Sequence, residues 1–427
     1  MHFRKSASGD EIHTRIIARF ITWLMAFGCI AFNASGQDKS NRIDQQRILV
    51  KNLLWDLSSL SNPPAFKWLK QDSVVASLFY SSVAVSGKPT RVFAYYSDPD
   101  RIAGRPPSGK KFPAVVLVHG GGGKAFPQWV ALWAKSGYAA IAMDLAGKDG
   151  NGDRMEDGGP DQSNENKIMH FTSADVRKSW SYHAVSSVIL AHSLLRVFPA
   201  VRMHETFVTG ISWGGYLTCI VAGLDNRFKG AAPVYGCGFL GESDVFKNQL
   251  ARLEPSVQKS WLENYDPSVY MPFASMPVLF INGNKDKHYN VVPYHKTYQL
   301  VPAGQRYVCI KPNMKHGHPP GWEPVEIKRF FDQLRNDGPS LPKVLKHNET
   351  DSSITFLTTG DVVEATFYFS GQTGVLNEQR EWQSMSVTSV PASGMITIRK
   401  PASGFKYAFL QVSDAAKVSA SSEFIIQ

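Results

Sequence analysis

Cysteine is scarce in this chain, and the common metal-binding patterns are missing. Four cysteines occur among 427 residues, and three of them, Cys219, Cys237 and Cys309, lie beyond the N-terminal region. A domain held together by disulfides uses a denser and even-numbered set. Neither Cys-x-x-Cys nor His-Glu-x-x-His occurs. The sequence therefore predicts no metal site and no disulfide framework, and it leaves open whether two of the three cysteines form a single bridge.

Long apolar runs are also lacking. The run at residues 20–32 has 13 residues, whereas a membrane-spanning helix needs about 20. Small residues at 34–36 follow this run, and the positive charges of Arg4, Lys5, Arg15 and Arg19 precede it. This arrangement predicts a secretory signal peptide over residues 1–36, hence a secreted or periplasmic protein with no stable membrane insertion after cleavage. A retained anchor and a lipoprotein at Cys29 are the alternatives.

Charge is not clustered along the chain. The formal net charge is +10, but lysine and arginine are scattered rather than gathered into a stripe. A nucleic-acid partner is therefore not expected. The positive excess suits either solubility or contact with an acidic surface or polymer. The oligomeric state is left open.

The order of secondary-structure patterns predicts an α/β fold. After a peripheral segment at residues 37–75, two β-rich runs at 77–80 and 90–96 predict a hairpin. Continuous apolar runs then alternate with helical patterns. Such runs are typical of strands in a parallel sheet that is covered on both faces. The expected strands lie at 114–118, 138–143, 206–209, 230–235, 278–282 and 306–311, with helices at 128–135, 174–198 and 324–334. Residues 76–338 are therefore predicted to form one doubly wound domain.

A second, all-β domain is predicted over residues 345–427. Short strands separated by turn residues indicate a small immunoglobulin-like sandwich, although the Cys–Trp–Cys signature is absent. The expected strands lie at 354–357, 362–369, 382–387, 395–398, 407–412 and 424–426. The aromatic side chains of this region, Phe367, Tyr368, Phe369, Trp382 and Tyr407, are interpreted as core rather than as a platform for a glycan.

Two long connections are expected to lie near the ligand-binding edge of the sheet. Residues 151–166 are rich in Gly, Asp and Asn and predict a loop, while residues 239–275 are too long for a plain connection and predict helices. Ligands of α/β folds bind at the carboxyl edge of the sheet. These insertions therefore supply the walls of the expected pocket. His192 lies on an apolar helical stripe and is interpreted as a buried structural histidine.

A nucleophile elbow is the most informative motif. Residues 210–215 read Gly-Ile-Ser-Trp-Gly-Gly and match G-x-S-x-G, between an expected strand and an apolar helix. In such a turn the serine, here Ser212, projects its hydroxyl beyond the edge of the sheet. The neighbouring positions must be glycine because side chains would clash in the tight turn.

Candidates for an acid and a base follow in the expected chain order of serine, acid and histidine. Asp286 comes soon after the strand at 278–282, and His316 and His318 follow the strand at 306–311. Asp286 has the alternative of capping the helix near Val292. His316 is preferred as the base because it precedes a glycine, and His318 remains the alternative base.

A glycine loop supplies candidates for an oxyanion hole. His119 and four glycines follow the strand at 114–118 directly, which matches the HGGG-type motif. Main-chain N–H groups of Gly120 and Gly121, together with that of Trp213 after the nucleophile, would face the developing negative charge. A phosphate-binding loop is disfavoured because Lys124 is followed by Ala125 instead of Ser or Thr.

These motifs resemble those of α/β-hydrolases of the dienelactone hydrolase and prolyl-oligopeptidase-like branch, nearest to acetyl xylan esterases and cephalosporin deacetylases. The resemblance covers residues from about 75 to 335 and rests on the glycine loop, the elbow, Asn282–Asp286 and His316-Gly317. It implies a Ser-His-Asp enzyme that needs no metal or other cofactor. Ser212 departs from dienelactone hydrolases proper, which use cysteine. The short stretch expected between the signal peptide and His119 disfavours an oligopeptidase that is gated by a long propeller.

The resemblance implies a serine hydrolase of carboxylic esters that deacetylates carbohydrate. Its substrate would be a small-molecule or polysaccharide ester. Two alternatives stay open, namely a secreted peptidase of the same fold and a non-catalytic, glycan-binding relative. A peptidase would need a site for the charged terminus of its substrate, and no such site is identified in the sequence.

Overall fold

A nine-stranded sheet is the largest sheet of the described residues. The computed structural model describes residues 54–427, so the predicted signal peptide and residues 37–53 of the peripheral segment lie outside the described residues. The strands of this sheet are β1 Phe66–Lys70, β2 Ala76–Val85, β3 Lys88–Ser97, β4 Phe112–Val118, β5 Ala139–Met143, β6 Val201–Ile211, β7 Gly230–Val234, β8 Val278–Gly283 and β9 Arg306–Lys311.

The strand order is β1-β2-β3-β5-β4-β6-β7-β8-β9. The last six strands in this order, which are β5, β4, β6, β7, β8 and β9, pair with their neighbours in parallel. Strands β1, β2 and β3 extend the sheet with antiparallel pairings. Because parallel strands place their carboxyl ends at one edge, the loops after β4, β6, β8 and β9 meet there. The predicted doubly wound α/β fold is confirmed.

Ten α-helices occur in the described part of the chain. Their bounds are α1 Leu57–Leu60, α2 Pro99–Ile102, α3 Pro127–Lys135, α4 Trp180–Leu195, α5 Trp213–Leu224, α6 Phe246–Leu250, α7 Pro255–Tyr265, α8 Val291–Gln299, α9 His318–Trp322 and α10 Val325–Leu334. The helices expected within residues 239–275 are therefore present as α6 and α7.

Two differences from the expected elements have local causes. Helix α4 begins at Trp180, later than expected, because the Ser179 side chain accepts a hydrogen bond from the N–H of Ser181 and caps the helix there. Strand β1 was not predicted. Its side chains are largely exposed at the edge of the sheet, so it lacks the apolar alternation that marks a half-buried strand.

The predicted hairpin of β2 and β3 is confirmed. It closes through Ser86 and Gly87, which have φ angles of 49° and 79°. A two-residue hairpin turn of type I′, whose twist matches that of the flanking strands, requires positive φ angles at both of its residues.

The C-terminal region is a two-sheet β-sandwich. One sheet pairs β10 Lys343–Glu349, β11 Ser353–Thr359 and β14 Met395–Arg399; the other contains β12 Val362–Ser370, β13 Gln383–Ser386, β15 Tyr407–Asp414, β16 Ser419–Ser421 and β17 Ile425–Ile426. Strands β10 and β16 were not predicted. Phe367 and Phe369 lie in the sandwich core, as predicted. Tyr368, Trp382 and Tyr407 are only half-buried.

The sandwich packs against β9, the last strand of the large sheet. The Ile310 N–H donates a 2.8 Å hydrogen bond to the hydroxyl of Ser421 on β16. Behind this contact, the fully buried Glu326 carboxylate accepts from the Lys311 ammonium at 2.6 Å and from the Ser419 N–H at 3.0 Å. The exposed edge strand of a sheet can pair with a strand of another chain and so cause aggregation. The sandwich covers β9, the edge strand on this side of the large sheet.

Cys219, Cys237 and Cys309 are buried and free, so no disulfide joins them. His192 is fully buried, and its ring nitrogens contact Asp225 and Thr206 at 2.8 Å each, as expected of a structural histidine. From residue 54 onward, no helix has both the length and the apolar character needed to cross a membrane. Within the same residues, no cluster of three or more His, Cys, Asp or Glu side chains is arranged to hold a metal ion.

Candidate active site

Ser212 occupies a strained turn between β6 and α5. Its φ and ψ angles are 58° and −117°, a conformation that side-chain-bearing residues rarely adopt. Such strain persists only where the surrounding structure enforces it, and it is common at functional sites. The turn holds the Ser212 hydroxyl at the carboxyl edge of the sheet.

Close packing explains the glycines of the elbow. A Cβ atom on Gly214 would lie 2.0 Å from the Val118 carbonyl oxygen, and one on Gly215 would lie 2.4 Å from that of Val234. Both distances are far below van der Waals contact. The backbone of α5 therefore approaches β4 and β7 more closely than any side chain would allow. At these two glycines the clash would be with neighbouring strands, whereas the sequence predicts a clash within the turn itself.

His316 lies between Ser212 and Asp286. Its Nε2 atom is 2.9 Å from Ser212 Oγ, and its Nδ1 atom is 2.6 Å from Asp286 Oδ2. The Asp286 side chain is fully buried, whereas that of His316 is 17% exposed. The three side chains that the sequence places after β6, β8 and β9 therefore form one continuous hydrogen-bonded chain.

The Asp286 carboxylate is held by its own loop. Its Oδ1 atom accepts hydrogen bonds from the N–H groups of His288 and Tyr289, at 2.9 and 2.8 Å. These contacts leave Oδ2 free to face His316. The expected alternative, in which Asp286 caps the helix near Val292, does not occur, because helix α8 begins at Val291 and Asp286 binds the loop before it.

Rings on two sides hold the His316 imidazole. The Tyr235 ring is 4.4 Å from it and the His288 ring 4.7 Å, measured between centroids. The Tyr235 hydroxyl donates a 2.6 Å hydrogen bond to the carbonyl of Lys315, the residue before His316. The pKa of His288 is lowered to about 4, mainly because burial disfavours its charged form and further because His316 is close.

His318 faces a different partner. Its Nε2 atom accepts a 3.0 Å hydrogen bond from the Gly120 N–H. Burial lowers the pKa of His318 to about 4, so the ring remains neutral and able to accept. Its neighbour Phe126 lies 4.8 Å away between ring centroids. The structure thus places His316, and not His318, beside Ser212.

The glycine loop has a defined set of donors. The Nδ1–H of His119 donates to the Gly120 carbonyl at 2.8 Å, while its Nε2 accepts from the Leu145 N–H at 2.9 Å. Because the Gly120 N–H already binds His318, its expected role as an oxyanion donor is not supported by this arrangement. The Gly121 N–H has no acceptor within residues 54–427.

The second expected donor lies at the start of a helix. Trp213 is the first residue of α5, and the first N–H groups of a helix lack intrahelical acceptors. The Trp213 indole is buried beneath the glycine loop, since a Cβ atom on Gly121 would lie 2.9 Å from its Cδ1 atom. The Trp180, Tyr216 and Phe246 rings pack edge-on around the indole.

Comparison with known proteins supports the fold and the class of enzyme. The acetyl xylan esterase (AXE1) family model matches residues 73–245. The chain has the α/β-hydrolase fold, and its residues 73–245 are similar to the acetyl xylan esterases. The family match covers the glycine loop and the elbow of the hydrolase but ends before Asp286 and His316. It supports an enzyme that hydrolyses carboxylic esters.

Solved structures and one curated protein resemble parts of the hydrolase. An acetyl xylan esterase from a Paenibacillus species is 19% identical, with a TM-score of 0.51 over 66% of this chain and 93% of that one. Acetyl xylan esterase 1 from a Thermoanaerobacterium species is 16% identical, with a TM-score of 0.49 over 71% and 95%. Dipeptidyl-peptidase 5 of Schizosaccharomyces pombe is 24% identical over an alignment of 260 residues that covers 54% of this chain and 34% of that relative. The hydrolase thus spans about a third of the length of this curated relative.

Several residues around the site carry no signal in the sequence. Gln162 and Lys167 lie in the long connection after β5, Phe246 lies in the insertion before β8, and Asn377 lies in the sandwich. His288 follows Asp286 by two residues, and this closeness is the only local hint among them. The other four are brought to the site by tertiary packing, so neither periodicity nor motif spacing indicates them.

Proposed function

We propose that this α/β-hydrolase is a secreted serine esterase that removes acetyl groups from carbohydrate. The observation that carries the proposal is the hydrogen-bonded chain of Ser212, His316 and Asp286 at a strained elbow. A serine hydroxyl is a weak nucleophile until an adjacent base accepts its proton, and a third group must orient that base.

The proposed reaction proceeds through an acyl-enzyme. Ser212 Oγ attacks the ester carbonyl while His316 Nε2 takes its proton, and Asp286 holds the ring and stabilises its positive charge. The protonated His316 then gives the proton to the leaving alcohol. Water, activated in turn by His316, attacks the acyl group and releases acetic acid, which restores Ser212.

Main-chain donors stabilise the negative oxygen in both steps. The N–H groups of Gly121 and Trp213 are the proposed donors, because the Gly120 N–H binds His318. Removal of one such donor typically lowers the rate by about 10²- to 10³-fold. The nucleophile, the base and the acid are the side chains of Ser212, His316 and Asp286. The family resemblance implies that the reaction needs no cofactor.

The substrate class rests on the family. The matched family model describes acetyl xylan esterases, and the Paenibacillus structure that shares the fold carries the same description. An acetylated small sugar or polysaccharide is therefore the proposed substrate.

The test compares the wild type with Ser212→Ala on p-nitrophenyl acetate, on longer acyl esters and on acetylated xylan. The wild type should release acetate from xylan, and Ser212→Ala should lose all but a small residual rate. Ser256→Ala, which replaces an exposed serine on α7, serves as a folded control. Equal turnover by the wild type and Ser212→Ala would reject the proposal.

A peptidase is the second candidate, and the likeness to dipeptidyl-peptidase 5 favours it. Aminoacyl-p-nitroanilides distinguish the two candidates. Ser212-dependent cleavage of anilides without cleavage of acetyl esters would assign the site to peptide substrates. No Ser212-dependent turnover of either class would leave the third possibility, a relative that binds glycans without catalysis.

Secretion is proposed from residues 1–36, which lie outside the described residues. The N-terminal sequence of the protein recovered from the extracellular or periplasmic fraction tests it. Cleavage after Gly36 is expected. A full-length chain that remains in the cytoplasmic fraction would reject it.

A further inference from the structure

A nearly buried lysine lies against the indole of Trp213, the residue whose N–H is a proposed oxyanion donor. Lys167 is only 6% exposed, and its Nζ atom lies 4.6 Å from the centroid of the Trp213 indole. Within residues 54–427 this ammonium forms no ion pair and donates no hydrogen bond. Lysine is rarely this buried without a partner, because the charge loses its hydration. The indole face compensates for part of that loss.

A second unpartnered donor comes from the same connection. The Gln162 side chain accepts a 3.1 Å hydrogen bond from the Gly122 N–H through Oε1. Its Nε2 atom is buried and has no partner within the described residues. Gln162 thus contacts Gly122, while Lys167 contacts the indole that lies beneath Gly121. Both side chains therefore flank the loop that carries the proposed oxyanion donor.

The two groups share one chemical property: each donates hydrogen bonds and lacks an acceptor. The Lys167 pKa is lowered to about 8, because burial disfavours the charge more than the nearby carboxylates of Glu165 and Asp161 favour it. An anion bound at Lys167 would remove the penalty of an uncompensated buried charge. A carboxylate is a chemically suitable ligand for such donors, because its two oxygens only accept hydrogen bonds.

On the basis of the proposed esterase function, we propose that Lys167 and Gln162 form a subsite for a carboxylate carried by the ester substrate. The preferred substrates are then acidic esters rather than neutral ones. The carboxylate comes either from the acyl group, as in a hemiester of a dicarboxylic acid, or from the alcohol, as in an acetylated uronic acid. The positive excess of the whole chain favours the approach of such acidic substrates.

The test measures kcat/KM for pairs of acidic and neutral esters. For the acyl arm the pair is p-nitrophenyl hydrogen succinate and p-nitrophenyl acetate; for the alcohol arm it is an O-acetylated methyl galacturonide and the matching galactoside. Lys167→Met keeps the apolar stem, and Lys167→Arg keeps the charge. Lys178→Met, which removes an exposed lysine, is the matched control, and the thermal midpoint of each variant verifies folding.

The wild type should prefer the acidic member of one pair. Relative to the wild type, Lys167→Met should lower kcat/KM for that ester about 10- to 100-fold more than for the neutral ester, the range for a hydrogen bond to a charged group. Lys167→Arg should retain part of the preference, and Lys178→Met all of it. The subsite is rejected if neither pair shows a preference for the acidic member, or if the preference survives in Lys167→Met.

A binding measurement separates this proposal from the proposed catalysis. If no ester is turned over, the esterase proposal fails, and calorimetric titration with methyl galacturonide and with succinate decides the subsite alone. Binding by the wild type that is lost in Lys167→Met supports the subsite. Binding that is absent, or equal in both proteins, overturns it.

Discussion

Asn377, a residue of the C-terminal sandwich, donates a 2.8 Å hydrogen bond to the main-chain carbonyl of Asp286, the proposed catalytic acid. The same Nδ2 atom also reaches the Asn284 carbonyl at 3.3 Å, and Asn377 is only 2% exposed. The loop after β8 is therefore held from outside the α/β domain. The sandwich thus contributes directly to the position of the acid.

Replacement of Asn377 should impair catalysis as well as stability. Asn377→Ala leaves two buried carbonyls without donors, which costs about 1–3 kcal/mol. We expect kcat on p-nitrophenyl acetate to fall by about tenfold with little change in KM, because the acid loop moves while the substrate pocket is retained. Steady-state kinetics and urea unfolding measure the two effects.

An exposed asparagine of the same sandwich provides the control for this variant. Asn348 lies on β10 with its side chain in solvent, so Asn348→Ala should match the wild type in both measurements. If Asn377→Ala were destabilised but kept the wild-type kcat, Asn377 would be a purely structural residue.

The two histidines after β9 should differ sharply on substitution. His316→Ala removes the proposed base, and the rate should fall by about 10³-fold or more. His318→Ala removes only the acceptor for the Gly120 N–H, a loss of one hydrogen bond that corresponds to about tenfold at most. Hydrolysis of p-nitrophenyl acetate by each variant measures the difference. If His318→Ala lost more activity than His316→Ala, His318 would be the base and His316 would not.

The glycine loop should tolerate no side chain at Gly121. A Cβ atom there would lie 2.9 Å from the Trp213 ring, which is packed on its other sides and has no room to yield. Gly121→Ala should displace the proposed donor and lower kcat by about 10²-fold. Gly159→Ala is the control, because a Cβ atom there meets nothing within 4 Å. Wild-type kcat in Gly121→Ala would exclude the Gly121 N–H as the donor.

Buried His119 should make folding sensitive to acid. Burial lowers its pKa from 6.5 to about 4, so between these pH values the unfolded chain binds a proton that the folded chain does not. The stability that His119 contributes is therefore present above pH 6.5 and lost as the pH falls toward 4, to an extent of about 3 kcal/mol.

A variant without this histidine reveals the effect. His119→Asn keeps a donor for the Gly120 carbonyl but does not titrate, so its stability should fall less on acidification than that of the wild type. Urea unfolding at several pH values measures this. His347→Asn, which removes an exposed histidine, is the control. Parallel pH profiles for the wild type and His119→Asn would contradict the expectation.

Motif spacing predicts a large part of the candidate site. The sequence places Ser212, Asp286 and a histidine each after an apolar strand, and the structure brings all three ends to one edge of the sheet. The prediction is possible because the carboxyl ends of parallel strands lie at the same edge of a sheet, so the loops that follow these strands meet there. Strand β1 and strand β16 could not be predicted in the same way, because one is exposed and the other has three residues.

The sequence by itself determined the α/β fold, the elbow at Ser212 and the order of the acid and the histidine pair. These features follow from apolar periodicity and from turns that only glycine permits, and both are properties of short segments. The tertiary structure alone decided that His316 rather than His318 faces Ser212, and that the Gly120 N–H is engaged. It also decided that Asn377 and Lys167 reach the site. Each of these depends on contacts between residues far apart in the chain, and no local pattern encodes such contacts.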